Sequence, residues 1–233
     1  MIRFLAFAGV FMALAAWPGT VMARDAAMVC SVPRAPDIKV NMATDEIKYH
    51  FGTGTETLSQ GPKSTVSPYA AGVDQSTGGL RVDKPEISNN VTWNIQYDQE
   101  SQIGCMWYET VTITIHLKPE VYVAKEFNQG QCREAILKHE LKHVEVDRLV
   151  MNKYAVLIGK AVQAAVNSAG ALGPFNMSEV ESMKAVSMNH IKAAIDSQSL
   201  LMQKEMNQLQ SQVDSLAEYK YVSGFCKDIE LKK

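Results

Sequence analysis

The chain has 233 residues, a formal net charge of −2, and 46% hydrophobic against 21% charged residues. This is the composition of an ordinary soluble globular protein with enough apolar residues for a sizeable core, and one domain is the simplest count. The nearly balanced charge, without a basic patch interleaved with aromatic residues, argues against binding to nucleic acid.

Residues 1–23 have the pattern of a secretory signal peptide. A short basic start precedes an apolar run at residues 4–17, and Val21 and Ala23 stand at the −3 and −1 positions of a cleavage site. The run is shorter than the roughly 20 apolar residues that a membrane span needs. We therefore expect a bacterial periplasmic or secreted mature chain, residues 24–233, without a stable membrane span; an uncleaved N-terminal anchor is the alternative.

All four cysteines fall in the predicted mature chain. An even number of cysteines in an exported protein predicts two disulfide bonds, and four cysteines allow three connectivities. Our preferred pairing joins Cys105 to Cys132, which would clip a strand to the start of the main helix. It also joins Cys30 to Cys226, which would tie the ends of the mature chain together. Four buried thiols are the alternative.

Residues 24–130 are predicted to be β-rich. One or two strands are expected within residues 38–51 and another at residues 91–98. The clearest strand is ETVTITIHL at residues 109–117, in which apolar and polar side chains alternate. We expect Thr110–Leu117 to border the functional cleft, with a free edge where an extended peptide could pair.

The remainder of the chain is predicted to be helical. Apolar residues recur at helical spacing over residues 131–168, and a second long helix is expected to run to about Tyr219. Two long helices with a short connection should pack as an antiparallel hairpin, residues 131–222, followed by a tail at residues 223–233. The predicted fold class is therefore α+β: a small antiparallel β-rich layer followed by a long antiparallel helical hairpin, a zincin-like arrangement in a single domain.

The first of these helices carries the sequence HELKH. His139 and His143 lie one helical turn apart on the same face, so both imidazoles can reach one metal ion, and Glu140 lies beside it. This is the HExxH pattern of zinc peptidases, which predicts a bound Zn²⁺ and a peptide or protein substrate. Glu140 is the predicted general base, which takes a proton from the attacking water and passes it to the leaving nitrogen. A solvated helical turn of alternating charge is the alternative.

A catalytic zinc ion usually has three protein ligands, and the third lies outside HELKH. Asp147 follows on the same side of the helix, and we expect it to support His143 rather than to bind the ion itself. If the hairpin turns near Gly173, position 141 faces Glu205 on the second helix. Glu205 is therefore the third ligand that helix geometry favours, with a solvated glutamate as the alternative.

Two stretches, VTITIHLKPEVYV and CREAILKHELKHVEVDRLV, resemble the bacterial predicted secreted zinc-dependent protease family. The similarity covers about residues 90–222, and it implies metallopeptidase activity. Members of that family often close with a Tyr-Asp pair followed by a Thr-x-His-Gly-like stretch. In QVDSLAEYKY the aspartate is matched by Asp214, whereas Val213 replaces the tyrosine and the threonine and histidine are missing. The resemblance therefore implies Asp214 as a rival to Glu205.

The sequence also allows a second class of function, a non-enzymatic periplasmic or envelope-associated protein, with or without a structural metal. Its long helices would bind a partner, and the methionines of the second helix would form an adaptable surface. These methionines are Met183, Met188, Met202 and Met206. Metal content distinguishes the two classes.

Overall fold

The computed structural model describes residues 29–61, 77–83 and 85–226. The predicted signal peptide and the last residues of the predicted tail lie outside this part of the chain. Within it, small sheets are followed by long helices, so the predicted α+β class is confirmed.

Strands dominate the first half of the chain, and helices dominate the second. In order they are β1 (Asp37–Thr44), β2 (Lys48–His50), α1 (Thr55–Ser59), β3 (Gly79–Val82), β4 (Glu86–Tyr97), β5 (Ile103–Leu117), β6 (Glu120–Val123), α2 (Gly130–Ala169), β7 (Leu172–Asn176), α3 (Val180–Val213) and α4 (Leu216–Gly224). Short 3-10 turns at Lys125–Phe127 and Met177–Glu179 precede α2 and α3.

The larger sheet has the strand order β1–β5–β4, and β7 pairs with the first residues of β5. β4 and β7 run antiparallel to β5, but β1 runs parallel to it. The sheet is therefore mixed, and the expectation of a purely antiparallel layer is wrong. Parallel pairing needs a long connection, which here contains β2, β3 and β4.

The clearest predicted strand forms the centre of this sheet. Residues 110–117 of β5 pair with β1 on one side and residues 86–92 of β4 on the other. The expectation that Thr110–Leu117 offers a free edge to a peptide is therefore wrong. The physical reason is that β1 and β4 already pair with the backbone N–H and C=O groups along both edges of this strand.

A second, smaller sheet lies beside the first turns of α2. Its strand order is β2–β6–β3, with β3 antiparallel to β6. β3 contacts α2 closely, because a Cβ placed on Gly79 would come within 2.5 Å of Ile136 Cγ2 and would also meet Glu140. Two residues further on, Arg81 reaches Asp147 of the same helix. The strand that borders the HELKH turn is therefore β3.

The two long helices pack antiparallel, as predicted. His143 contacts Gln210, whereas Lys153, further along α2, contacts Glu205, earlier in α3. α2 has 40 residues and spans about 60 Å. The main core forms between this hairpin and β5, and it includes Val111, Ile113, Ile115, Met151, Ile158, Ile191, Ile195, Met202 and Met206. Across the described residues, none of the helices is both long and apolar enough to span a bilayer.

All four cysteines are paired, as predicted, but the preferred connectivity is wrong. The bonds are Cys30–Cys105 and Cys132–Cys226. Cys105 lies near the start of β5, next to the first described residues, whereas Cys132 lies in the first turn of α2. There it meets Cys226, because the chain after α3 continues along α2 towards the first turn of that helix. Two disulfides are compatible with an exported protein.

Candidate metal centre

The second long helix ends earlier than predicted, and this changes the position of Asp214. α3 stops at Val213, and Ser215 adopts an extended conformation that begins α4. Ser215 Oγ accepts a hydrogen bond from the backbone N–H of Glu218 at 3.3 Å, which caps α4. The break turns the Asp214 side chain inward, so that only 5% of this residue is exposed. The expectation of one continuous helix to about Tyr219 is therefore wrong.

Three side chains from two distant segments converge on one point. His139 Nε2 and His143 Nε2 are 3.3 Å apart, and Asp214 Oδ1 lies 3.3 Å from the first and 3.1 Å from the second. All three residues are buried. Such a group of two imidazoles and one carboxylate could hold a metal ion.

Glu205, the ligand that helix geometry favoured, lies elsewhere. Its carboxylate accepts hydrogen bonds from Lys153 Nζ at 2.6 and 2.8 Å and from Tyr154 Oη at 3.1 Å. The assumed register is wrong because β7 and a 3-10 turn lengthen the connection between the helices, which moves the turn past Gly173. Gln210 therefore lies opposite His143.

Gln210 links His143 to Asp147. Its Oε1 contacts His143 Nδ1, and its Nε2 donates to Asp147 Oδ1 at 2.6 Å and to the backbone carbonyl of His143 at 3.0 Å. Asp147 was expected to support His143 directly. Gln210 lies between Asp147 and His143, so any support from Asp147 acts through the Gln210 amide.

Asp147 also belongs to a buried ionic cluster with β3. Arg81 Nη1 lies 3.3 Å from Asp147 Oδ2 and forms a shorter ion pair with Asp83. Burial, followed by the hydrogen bond and the negative charge of Asp83, raises the pKa of Asp147 to about 8, against the opposing effects of Arg81 and Gln210.

His139 is held from the other side by α4. Its Nδ1 lies 3.6 Å from Glu218 Oε1, and the Tyr219 ring packs against the imidazole with centroids 5.6 Å apart. Lys142 Nζ donates to the same carboxylate oxygen of Glu218 at 2.5 Å. Burial lowers the pKa of His139, but the hydrogen bond to Asp214 and the charges of Glu140, Asp214 and Glu218 outweigh it and raise that pKa overall.

Glu140 is buried between the two histidines and β3. Burial raises the pKa of its carboxyl group, while the charges of His139 and His143 oppose the increase. Gly79 is needed here because any larger residue would collide with the Glu140 side chain. Glu140 therefore lies next to the group of His139, His143 and Asp214 but does not belong to it.

A metal ion fits the geometry of the three atoms. Tetrahedral zinc with bonds of about 2.0–2.1 Å separates its ligand atoms by roughly 3.3 Å, which matches the three observed distances. His139 Nδ1 is also buried and has no hydrogen-bond partner among the described residues, although it faces Glu218. Two imidazole nitrogens and a carboxylate oxygen in van der Waals contact need protons or a cation between them.

Sequence reasoning did not find Gln210, Arg81, Gly79 or Glu218. One signal for the helix break was present, because Ser215 with Glu218 three residues later is a capping-box pattern. Nothing in the local sequence marks Gln210 or Gly79, whose roles depend on contacts between distant segments.

Comparisons of the chain with protein-family models, with curated proteins and with solved structures found no match. The resemblance to the secreted zinc-dependent protease family therefore stays a prediction from the sequence.

Proposed function

We propose that this protein is an exported zinc metallopeptidase, with His139, His143 and Asp214 as zinc ligands and Glu140 as general base. One observation carries the proposal: two imidazole nitrogens and a carboxylate oxygen converge at distances of 3.1–3.3 Å in a buried site. Three such atoms repel one another unless a proton or a cation lies among them, and the HExxH pattern favours zinc.

The donor set supports zinc over harder cations. Imidazole nitrogens suit zinc and other transition metals, whereas calcium and magnesium prefer oxygen ligands. Three protein ligands are also the number typical of catalytic zinc, which keeps a further position for water and substrate. Zinc bound at such a site supplies Lewis acidity, which polarises a carbonyl and acidifies water.

Glu140 is the residue that would move the proton. It follows His139 directly, and its carboxylate is buried beside the ligand atoms. In the proposed reaction Glu140 accepts a proton from the attacking water and then delivers it to the amide nitrogen that leaves. Gly79 supports this role by leaving room for the Glu140 side chain against β3.

The non-enzymatic alternative has less support. It relied on methionines of the second helix as a binding surface, but Met202 and Met206 are buried in the main core and Met188 packs against it. A structural metal without turnover is a narrower alternative, in which Glu140 would have no chemical role.

The first test is the zinc content of the purified mature protein. Wild type should bind one zinc ion per chain, and His139→Ala should lose it. His190→Ala is the matched control, because His190 lies exposed on α3. A wild-type protein that binds no zinc overturns the proposal.

The second test measures hydrolysis of an unfolded protein substrate with and without a zinc chelator. Hydrolysis that stops with the chelator and returns with added zinc supports the peptidase. Stoichiometric zinc without hydrolysis of any unfolded substrate favours the structural-metal alternative.

A further inference from the structure

We infer that Gln210 is a positioning residue that holds His143 with its Nε2 lone pair directed at the metal site, and that Asp147, anchored by Arg81, sets the orientation of the Gln210 amide. This inference rests on the metal site of the proposed function. It concerns how one ligand is prepared before any ion binds.

The hydrogen bonds of Gln210 determine which way its amide points. Its Nε2 donates to the backbone carbonyl of His143 at 3.0 Å and to Asp147 Oδ1 at 2.6 Å. A carbonyl oxygen can only accept, and Asp147 Oδ1 accepts whether or not the other oxygen of its carboxyl group carries a proton. The amide nitrogen therefore faces these two acceptors, and Oε1 faces His143 Nδ1.

This orientation fixes the tautomer of His143. An amide oxygen only accepts hydrogen bonds, so the proton of a neutral imidazole must lie on Nδ1. Nε2 then carries the lone pair, and it faces His139 Nε2 and Asp214 Oδ1. That is the form of histidine a metal ion requires, and ligating histidines generally donate their other ring N–H in this way.

Burial of the Gln210 amide favours one tautomer of His143. Gln210 and Asp147 are both fully buried, so water cannot replace the bonds of the amide. In the opposite tautomer the lone pair of Nδ1 would face Gln210 Oε1, and a flipped amide that donates to Nδ1 would place its oxygen against the backbone carbonyl and Asp147 Oδ1. The opposite tautomer of His143 is therefore disfavoured in the folded protein.

Arg81 extends the chain of contacts to β3. Its Nη1 lies 3.3 Å from Asp147 Oδ2, at ion-pair distance. Gly79, two residues earlier on β3, packs against Glu140. One short strand therefore supports both the proposed base and, through Asp147 and Gln210, one proposed ligand.

The test is Gln210→Met, which keeps most of the side-chain volume and removes the acceptor for His143 Nδ1. Gln212→Met is the matched control, since Gln212 is exposed on the same helix. We expect zinc affinity, measured by competition with a chelator, to fall by about 10–100-fold in Gln210→Met only. Nitrogen chemical shifts of the zinc-free protein at high pH should show His143 protonated on Nδ1 in wild type and partly on Nε2 in the variant.

A second measurement keeps the test valid if Gln210→Met does not fold, because the tautomer of His143 can be read in zinc-free wild type alone. Protonation on Nδ1 is expected there, since Gln210 Oε1 can only accept. A wild-type His143 protonated on Nε2, or a tautomer unchanged in Gln210→Met, overturns the inference. Because the tautomer is read in zinc-free protein, this outcome is distinct from a failure of wild type to bind zinc.

Discussion

Asp214 Oδ1 lies 3.1 Å from His143 Nε2, although 71 residues separate the two in the sequence. The contact depends on the end of α3 at Val213 and on the cap that Ser215 provides to α4. In a helix that continued through residue 214, the carboxylate would point away from α2. A local break in one helix therefore completes a site on another.

The first prediction follows from this contact. Asp214→Ala removes a direct ligand and should therefore weaken zinc binding strongly. The loss should exceed the effect of removing a residue that only supports a ligand, which is about 10–100-fold. Glu205→Ala is the matched control, since Glu205 binds Lys153 and Tyr154 instead. Chelator competition ranks the two variants. If Glu205→Ala loses zinc and Asp214→Ala keeps it, the ligand set proposed here is wrong.

The histidine pair could be predicted from the sequence because its geometry is local. His139 and His143 are one turn apart on any α-helix, whatever surrounds them. Predicting the third ligand required the register between α2 and α3, which depends on the length of the connection. The extra strand and turn before α3 shifted that register, and Glu205 was assigned to a position that Gln210 occupies.

In the β-rich half, too, local features could be predicted from the sequence, but contacts between distant segments could not. Alternation in ETVTITIHL predicts a strand and identifies the buried face, and Val111, Ile113 and Ile115 are indeed fully buried. It does not say which strands lie on either side, since β5 pairs with residues as far away as Asp37, which lies opposite Thr110. The same limit applies to disulfide connectivity, which the count of cysteines leaves open.

The second prediction concerns the proposed base. Glu140→Gln should keep zinc, because Glu140 is not one of the three proposed ligands. Hydrolysis should fall by about 10²–10⁴-fold, because the general base is lost. Glu145→Gln, an exposed position on the same helix, should change neither property. Zinc content and single-turnover hydrolysis are measured on the same preparations. Full hydrolysis by Glu140→Gln would exclude the proposed mechanism.

The third prediction tests the contact between β3 and Glu140. Gly79→Ala adds a Cβ that would come within 2.5 Å of Ile136 Cγ2 and would also meet the Glu140 carboxylate. Overpacking of this kind costs about 1–3 kcal/mol in the free energy of unfolding and should displace Glu140. We expect a lower melting temperature and reduced hydrolysis with zinc retained. Gly52→Ala, where an added Cβ meets nothing within 4 Å, should behave as wild type.

The last prediction concerns Cys132–Cys226, which joins the start of α2 to the end of the chain that carries α4. α4 has no fully buried residue, so the disulfide and the polar contacts of Glu218 hold it against α2. Replacing both cysteines by serine should loosen α4 and the preceding Asp214, and zinc affinity should fall.

The matched control is the same double replacement at Cys30–Cys105, which closes a chain segment of similar length far from the histidines. Both double variants should lose about 2–4 kcal/mol in the free energy of unfolding, because each frees a long loop in the unfolded state. Only the Cys132→Ser, Cys226→Ser variant should also lose zinc affinity, measured by chelator competition well below its melting temperature. Equal zinc affinity in the two double variants would mean that α4 holds Asp214 in place without the disulfide.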